Sequence, residues 1–326
     1  MLIRIRRGWE IPERLATPED VYLNRRKFLQ ALGITSLGAF GVLVGGSDRS
    51  SAANEPAPPI GLPPPSTTVD LYPAKRNERF VLDRPLTDEA VAGRYNNFYE
   101  FSPNKQRVCG LVEPFQTRPW QIEVTGLVKK PRTVDIDDLV RRMPLEERLY
   151  RHRCVEAWAM AVPWTGFPVK AFINLVEPLS SAKYIRMVTF NTPAQAVGMK
   201  DDTYPWPYFE GLTMAEASNE LALFVTGIYG HELTKQHGAP LRLAVPWKYG
   251  YKSIKSIVRI EFIDKQPPTF WSALVPWEYD FWANVNPQVS HPRWSQESER
   301  LIDTDERRPT LLYNGYGEFV ADLYKV

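Results

Sequence analysis

The 326-residue chain has little cysteine and little histidine: two cysteines, Cys109 and Cys154, and four histidines. Two cysteines cannot staple a disulfide scaffold. No Cys-x-x-Cys, His-Glu-x-x-His or Cys-x-x-Cys-His occurs, which removes the spacings for structural zinc, zinc hydrolases, an iron–sulfur cluster and attached haem. An excess charge of one sign is also missing. The 40 Lys+Arg against 38 Asp+Glu leave a formal net charge of +2, and with it no general attraction for nucleic acid. The apolar stretch Ala31 to Val44 is too short and too rich in glycine for the ~20 residues of a spanning helix. What is present is a 44% apolar fraction with ten Trp, 15 Tyr and 29 Pro. That is core enough for one large domain or two small ones, packed irregularly rather than as a helical bundle.

The N-terminus has the layout of an export signal. Asn24-Arg25-Arg26-Lys27-Phe28-Leu29 precedes the apolar stretch, and the small residues Ser51, Ala52 and Ala53 follow it. Paired arginines followed by Phe-Leu resemble the twin-arginine signal, a route that carries folded proteins; the alternative is a membrane anchor that happens to contain Arg-Arg. We therefore expect a signal peptide over 1–53 and localisation to the periplasm. Residues 54–75, which include Pro63-Pro64-Pro65, have little to bury and are expected to form a tether. The catalytic domain is expected over 76–326.

Within that domain, Trp120 to Val124 alternates apolar with polar, as a half-buried strand does. Asp135 is expected to cap a helix through Leu139 and Val140, and Pro168 to open one carrying Phe172, Ile173 and Val176. Strands are expected over Tyr184 to Phe190, Leu221 to Thr226, Leu241 to Val245 and Ser256 to Ile263. Long irregular segments such as Asn191 to Pro207 separate them. The predicted fold is α+β and β-rich.

Cys154 stands after Arg151, His152 and Arg153, whose positive charge is expected to favour a thiolate, the form that binds a soft or high-valent metal. Three alternatives stand beside this. Cys154 is a small buried hydrophobe, or a disulfide partner of Cys109, or a nucleophile paired with His237 or His291.

Several longer runs carry a resemblance. They are Asn96-Asn97-Phe98-Tyr99-Glu100-Phe101, Pro144-Leu145-Glu146-Glu147-Arg148, Arg153-Cys154-Val155-Glu156-Ala157-Trp158, Val245-Pro246-Trp247-Lys248-Tyr249-Gly250, Ala283-Asn284-Val285-Asn286-Pro287 and His291-Pro292-Arg293-Trp294-Ser295-Gln296. From about Tyr95 onward the chain resembles the catalytic subunits of bacterial protein-methionine-sulfoxide reductases, which have the sulfite-oxidase fold. The resemblance implies a molybdenum-molybdopterin cofactor with Cys154 as the metal's protein ligand. It implies Asn96, Tyr99, Glu100, Thr189, His237, Arg242, Ser253, Ile254 and Lys255 as cofactor contacts, and Asn97 and Glu156 as catalytic neighbours of the metal. A guanidinium, an ammonium and turn amides are natural partners for the pterin's phosphate. Without the resemblance, the run Lys248 to Ser253 reads as a solvated basic loop. His237 stands where the family often has Asn, and an imidazole there makes the contact sensitive to pH.

The activity implied is oxygen-atom removal from methionine sulfoxide in oxidised periplasmic proteins. Glu156 is expected to manage protons, and a membrane haem subunit drawing on quinones to supply electrons by transient contact. The nearest alternative is a sulfite oxidase; another, of a different class, is a cofactor-free exported binding protein. A carboxylate at Glu156 would repel a dianionic sulfite. With no residues left for an immunoglobulin-like dimerisation domain, a monomer is expected. Trp206, Trp271, Trp277 and Trp282 are read as core, and none is assigned to substrate.

Overall fold

The computed structural model describes residues 61–64 and 66–325. These lie in one compact unit, Pro56–Val326. The expected signal peptide, and the tether before residue 61, fall outside the described residues.

Among the described residues twelve strands occur. The first six are β1 (Gln121–Gly126), β2 (Arg132–Asp135), β3 (Glu146–Arg153), β4 (Trp158–Pro168), β5 (Tyr184–Thr189) and β6 (Phe209–Thr213). The rest are β7 (Leu223–Ile228), β8 (His231–Glu232), β9 (Arg242–Ala244), β10 (Ile257–Ile263), β11 (Ser298–Leu301) and β12 (Arg307–Pro309). They form two sheets. One has the order β2-β1-β10-β5-β6, with β1 and β10 parallel and the other neighbours antiparallel. The other has the order β12-β11-β4-β7-β8, with β3 also pairing β4 and β9 also pairing β7.

The two sheets bury their strands differently, for a reason visible in their sequences. Strand β1 alternates between the core and the surface, with Ile122 and Val124 inward. Strand β4, Trp-Ala-Met-Ala-Val-Pro-Trp-Thr-Gly-Phe-Pro, is buried along nearly all its length and lies inside its sheet, paired with β3, β7 and β11. A strand covered on both faces reads as a continuous apolar run, which periodicity alone does not separate from a helix. That is why the β3–β4 hairpin has no counterpart among the sequence expectations.

The short helices follow local chemistry. Asp135 accepts hydrogen bonds from the Asp137 and Asp138 amides at the start of the helix Ile136–Arg142. The helix Val169–Val176 begins straight after Pro168 and turns Phe172, Ile173 and Val176 into the core. Strands β5 and β10 match their expected positions closely. Strand β7 starts two residues later than expected, at Leu223, because Leu221 and Ala222 lie in the turn that enters it.

The boundary of the expected tether needs correcting. Thr68 is buried, Ser66 Oγ donates to Glu232 Oε1 at 2.5 Å, and Tyr72 OH donates to Thr226 Oγ1 at 2.7 Å. Gly61 O accepts from Lys235 N at 2.9 Å. Residues of the Pro/Ser/Thr stretch thus pack on the β7–β8 region, because hydroxyls find a carboxylate there that composition cannot reveal.

Candidate active site

Strand β3 ends at Arg153 and β4 begins at Trp158, and between them Cys154 pairs with Trp158 across the three residues 155–157. Cys154 N donates to Trp158 O at 2.9 Å and Ala157 N donates to Cys154 O at 3.0 Å. Ala157 closes the loop with φ 65°. A hairpin of this length uses a left-handed residue at that position. For an L-residue with a Cβ it costs about 1–2 kcal/mol, a strain typical of functional sites. The loop puts Cys154 and Glu156 together on the wall of a cleft of about 810 Å³, measured with its open mouth.

Cys154 is a free thiol, as is Cys109, which lies in the helix Val108–Leu111 with Sγ near Gln106 O at 3.7 Å. The disulfide alternative is therefore removed. Cys154 Sγ accepts from Asn97 Nδ2 at 3.2 Å and from the Glu156 amide at 3.5 Å. Burial, reinforced by the Glu156 charge, pushes the thiol up to about 12. This corrects the expectation of a thiolate favoured by its neighbours in sequence. Along a strand successive side chains face opposite sides. Arg151 accordingly reaches Asp83 and Asn314 O, and Arg153 pairs with Glu299 at 3.4 Å. His152, which lines the cleft with Cys154, is held well below its ordinary value by burial and by Arg242, so it brings no charge. A thiolate at this buried position would need a cation bound to the sulfur. The nucleophile–base alternative finds no paired base: no hydrogen bond joins Cys154 to a histidine among the described residues, His291 lines a different groove, and burial makes His237 a weak base.

Eleven of the twelve expected site residues line this cleft: Cys154, Glu156, Asn97, Asn96, Tyr99, Glu100, His237, Arg242, Ser253, Ile254 and Lys255. Thr189 does not line it. At the end of β5, its hydroxyl donates to Lys255 O at 2.8 Å and lies 3.1 Å from Ser256 O, so it supports the turn that presents Lys255.

The cationic end of the cleft rests on Arg242. Among the described residues its guanidinium bonds carbonyl oxygens, His237 O at 2.9 Å, Leu243 O at 3.2 Å and Ser253 O at 3.3 Å, and lies 4.8 Å from the Trp164 ring centre. It forms no ion pair among the described residues, and burial lowers it to about 9. Lys255 Nζ donates to Asn97 O at 2.6 Å. Burial and the Arg242 charge lower Lys255, while burial raises Glu100 beside it. His237 is pushed down to about 3 by burial and Arg242, so it is neutral, and the expected pH-sensitivity of its contact is removed.

Two lysines once read as a solvated loop are instead fully buried. Lys248 pairs with Glu216 at 2.5 Å, and Lys252 with Glu210 at 3.0 Å. They brace the Gly250–Lys252 turn from below and leave Lys255 as the basic group of that run facing the cleft. Gly250 leaves room for the imidazole, since a Cβ there would sit 2.5 Å from His152 Nε2 and displace that ring.

This donor set fits a molybdopterin. A buried guanidinium without a carboxylate needs an anion, and the pterin phosphate is one. Asn96 Oδ1, Asn97 Oδ1 and Trp158 Nε1 are buried with no hydrogen-bond partner among the described residues, which suits a polar heterocycle. A sulfur at the wall suits a sulfur-ligated metal. Residues not expected from sequence also line the cleft, notably His152, Trp158, Tyr251, Trp271 and Tyr279. Strand alternation would have placed His152 on the face of Cys154. Trp271 belongs to the core as expected and also lines the cleft, whereas Trp277 and Trp282 are exposed rather than core.

Fold and cleft together define a class, the molybdopterin-dependent oxidoreductases. A family described as the oxidoreductase molybdopterin binding domain matches residues 110–271, a stretch that contains Cys154, Arg242 and Lys255. The chain is 44% identical over 98% of its length to the protein-methionine-sulfoxide reductase catalytic subunit MsrP of Burkholderia mallei, covering 94% of that protein. It is also 44% identical to the MsrP of Ralstonia nicotianae, over 98% of this chain and 95% of that one. The chain belongs to the family of protein-methionine-sulfoxide reductase catalytic subunits. Among solved structures it is similar to the sulfane dehydrogenase SoxCD of Paracoccus pantotrophus, at TM-score 0.40 and 16% identity, over 46% of this chain and 40% of that one.

Proposed function

We propose that this enzyme reduces methionine sulfoxide in proteins, with molybdenum–molybdopterin held through Cys154. When bound, that group would supply oxygen-atom transfer, with two electrons from outside the chain and two protons converting the sulfoxide to a thioether and water. The observation that carries the reading is Arg242, buried at one end of the cleft that Cys154 lines and bonded to carbonyls with no carboxylate partner among the described residues.

Each residue then has a definite task. Arg242 and Lys255 neutralise the pterin's anionic end, with the Ser253–Ile254 backbone beside them. Asn96, His237 and the Tyr99–Glu100 stretch pack and hydrogen-bond the pterin body. Asn97 orients the Cys154 sulfur through its amide. Glu156 is held against Lys105 at 2.5 Å with its side chain mostly buried, and carries a proton to and from the reacting oxygen. The same carboxylate disfavours a dianionic sulfite.

The test is elemental analysis with paired assays. About one molybdenum per chain, reduction of methionine sulfoxide and no oxidation of sulfite are expected. A chain without molybdenum, or one that oxidises sulfite instead, would overturn the reading. Glu156→Gln should lower turnover by about 10²-fold at unchanged molybdenum content, the usual scale for losing a positioned acid–base group.

The finer parts of the reading come from the N-terminal motif and the absence of any electron-carrying motif in the sequence. The protein works in the periplasm after twin-arginine export, as a monomer that touches a quinone-linked haem subunit only transiently. Replacing Arg25 and Arg26 together with Lys should leave folded protein in the cytoplasm. Normal periplasmic accumulation of that variant would rule this route out.

A further inference from the structure

A second groove, of about 1250 Å³, opens beside the cleft and shares Val155, Tyr251 and Tyr279 with it. Tyr279 forms the divide. Its ring centre lies 5.3 Å from that of Trp271 on the cleft side and 5.2 Å from that of His291 on the groove side, and its hydroxyl accepts from Arg293 at 3.0 Å. Gln296 supports the shared wall, donating to Val155 O at 2.7 Å, while its Oε1 is buried with no partner among the described residues. The outer lip holds Trp277, 76% exposed, and Val289, 61% exposed. Large apolar side chains left open beside an active site mark a binding surface, and Trp and Tyr are the usual anchors of one.

The charge of this groove is one-sided. Its lining includes Glu278 and Asp280 and no lysine or arginine. Arg293 pairs with Glu278 at 2.6 Å, whereas Asp280 forms no ion pair among the described residues and only accepts from the Ala283 amide at 2.9 Å.

We propose that this groove is a substrate subsite, holding the extended polypeptide segment that flanks a methionine sulfoxide delivered into the cleft. Trp277 and Val289 pack on the segment, and Asp280 favours a basic neighbour over an acidic one. This rests on the proposed activity and goes beyond it by explaining how a protein, rather than a free sulfoxide, is engaged. A small sulfoxide needs only the cleft.

The test compares oxidised peptides with dimethyl sulfoxide on the holoenzyme. Trp277→Ala, with Val289→Ser as a second variant, should raise KM for an oxidised peptide by about tenfold while leaving dimethyl sulfoxide kinetics unchanged. The wild type should prefer methionine sulfoxide flanked by lysines over the same residue flanked by glutamates, and Asp280→Asn, which keeps an acceptor for the Ala283 amide, should remove that preference. If neither groove variant separates peptide from dimethyl sulfoxide, or the wild type shows no charge preference, the subsite is overturned. A molybdenum-loaded wild type that reduces neither substrate overturns the activity on which the subsite rests.

Discussion

Cys154→Ser is expected to yield a folded protein that holds no molybdenum and reduces no sulfoxide, with activity down by more than about 100-fold. Loss of a mere hydrogen-bond partner of a metal ligand already costs about 10–100-fold, and loss of the ligand itself removes more. Serine is nearly isosteric but offers a hard, protonated oxygen where the site supplies a soft sulfur. The buried environment makes the effect severe. It already pushes the thiol up to about 12, and a hydroxyl there stays protonated. Folding should survive, because the Asn97 and Glu156 donors can still find the hydroxyl oxygen, so the unfolding free energy should change by only about 1 kcal/mol. Cys109→Ser, in a helix away from the cleft lining, should change neither metal content nor rate. Molybdenum retained at the wild-type level in the Cys154 variant would sink the assignment.

Lys252→Met is expected to produce the largest loss of stability, about 3–5 kcal/mol, because it strands Glu210 in the interior. Both side chains are fully buried, and Lys252 Nζ also donates to Phe281 O at 2.5 Å. Thermal melts should fall by roughly 6–15 °C. The double variant Lys252→Met with Glu210→Leu should recover most of that, since a buried pair replaced by apolar groups is often neutral. The pH dependence has a definite sign. Burial already raises Glu210, and removing its lysine raises it further. A carboxyl with a folded value above its unfolded one favours folding at low pH and opposes it as pH rises. The single variant should therefore lose least at acidic pH and most at neutral pH. A melt that is insensitive to both variants would mean that the pair does not brace the turn before Ser253–Lys255.

Motifs and periodicity reached quite different parts of the molecule. The strands that alternate, β1 and β10, and the helices with clear caps were legible because their signals are local. The β3–β4 hairpin was not. Its first strand is charged and its second is a continuous apolar run, and both make sense only once their partners are known: Glu299 for Arg153, the Glu220 carbonyl for Arg148, and strand β7 for the far half of β4. The lysines of the Val245 to Lys255 run misled for the same reason, since Glu210 and Glu216 lie far away in sequence.

What the sequence by itself determined is the inventory and its family: the one cysteine in the Arg-Cys-Val-Glu-Ala-Trp run, most of the positions that line the cleft around it, and an α+β chain built mostly of strands. Those are properties of residue types in a given order, and order is all they require. Tertiary structure alone decided which neighbours of Cys154 share its face, why its thiol is raised rather than lowered, which lysine faces the cleft, and that Trp277 stands open beside it. Each of these depends on burial and on partners brought from distant parts of the chain, and burial is a property of the packed molecule that no local stretch of sequence contains.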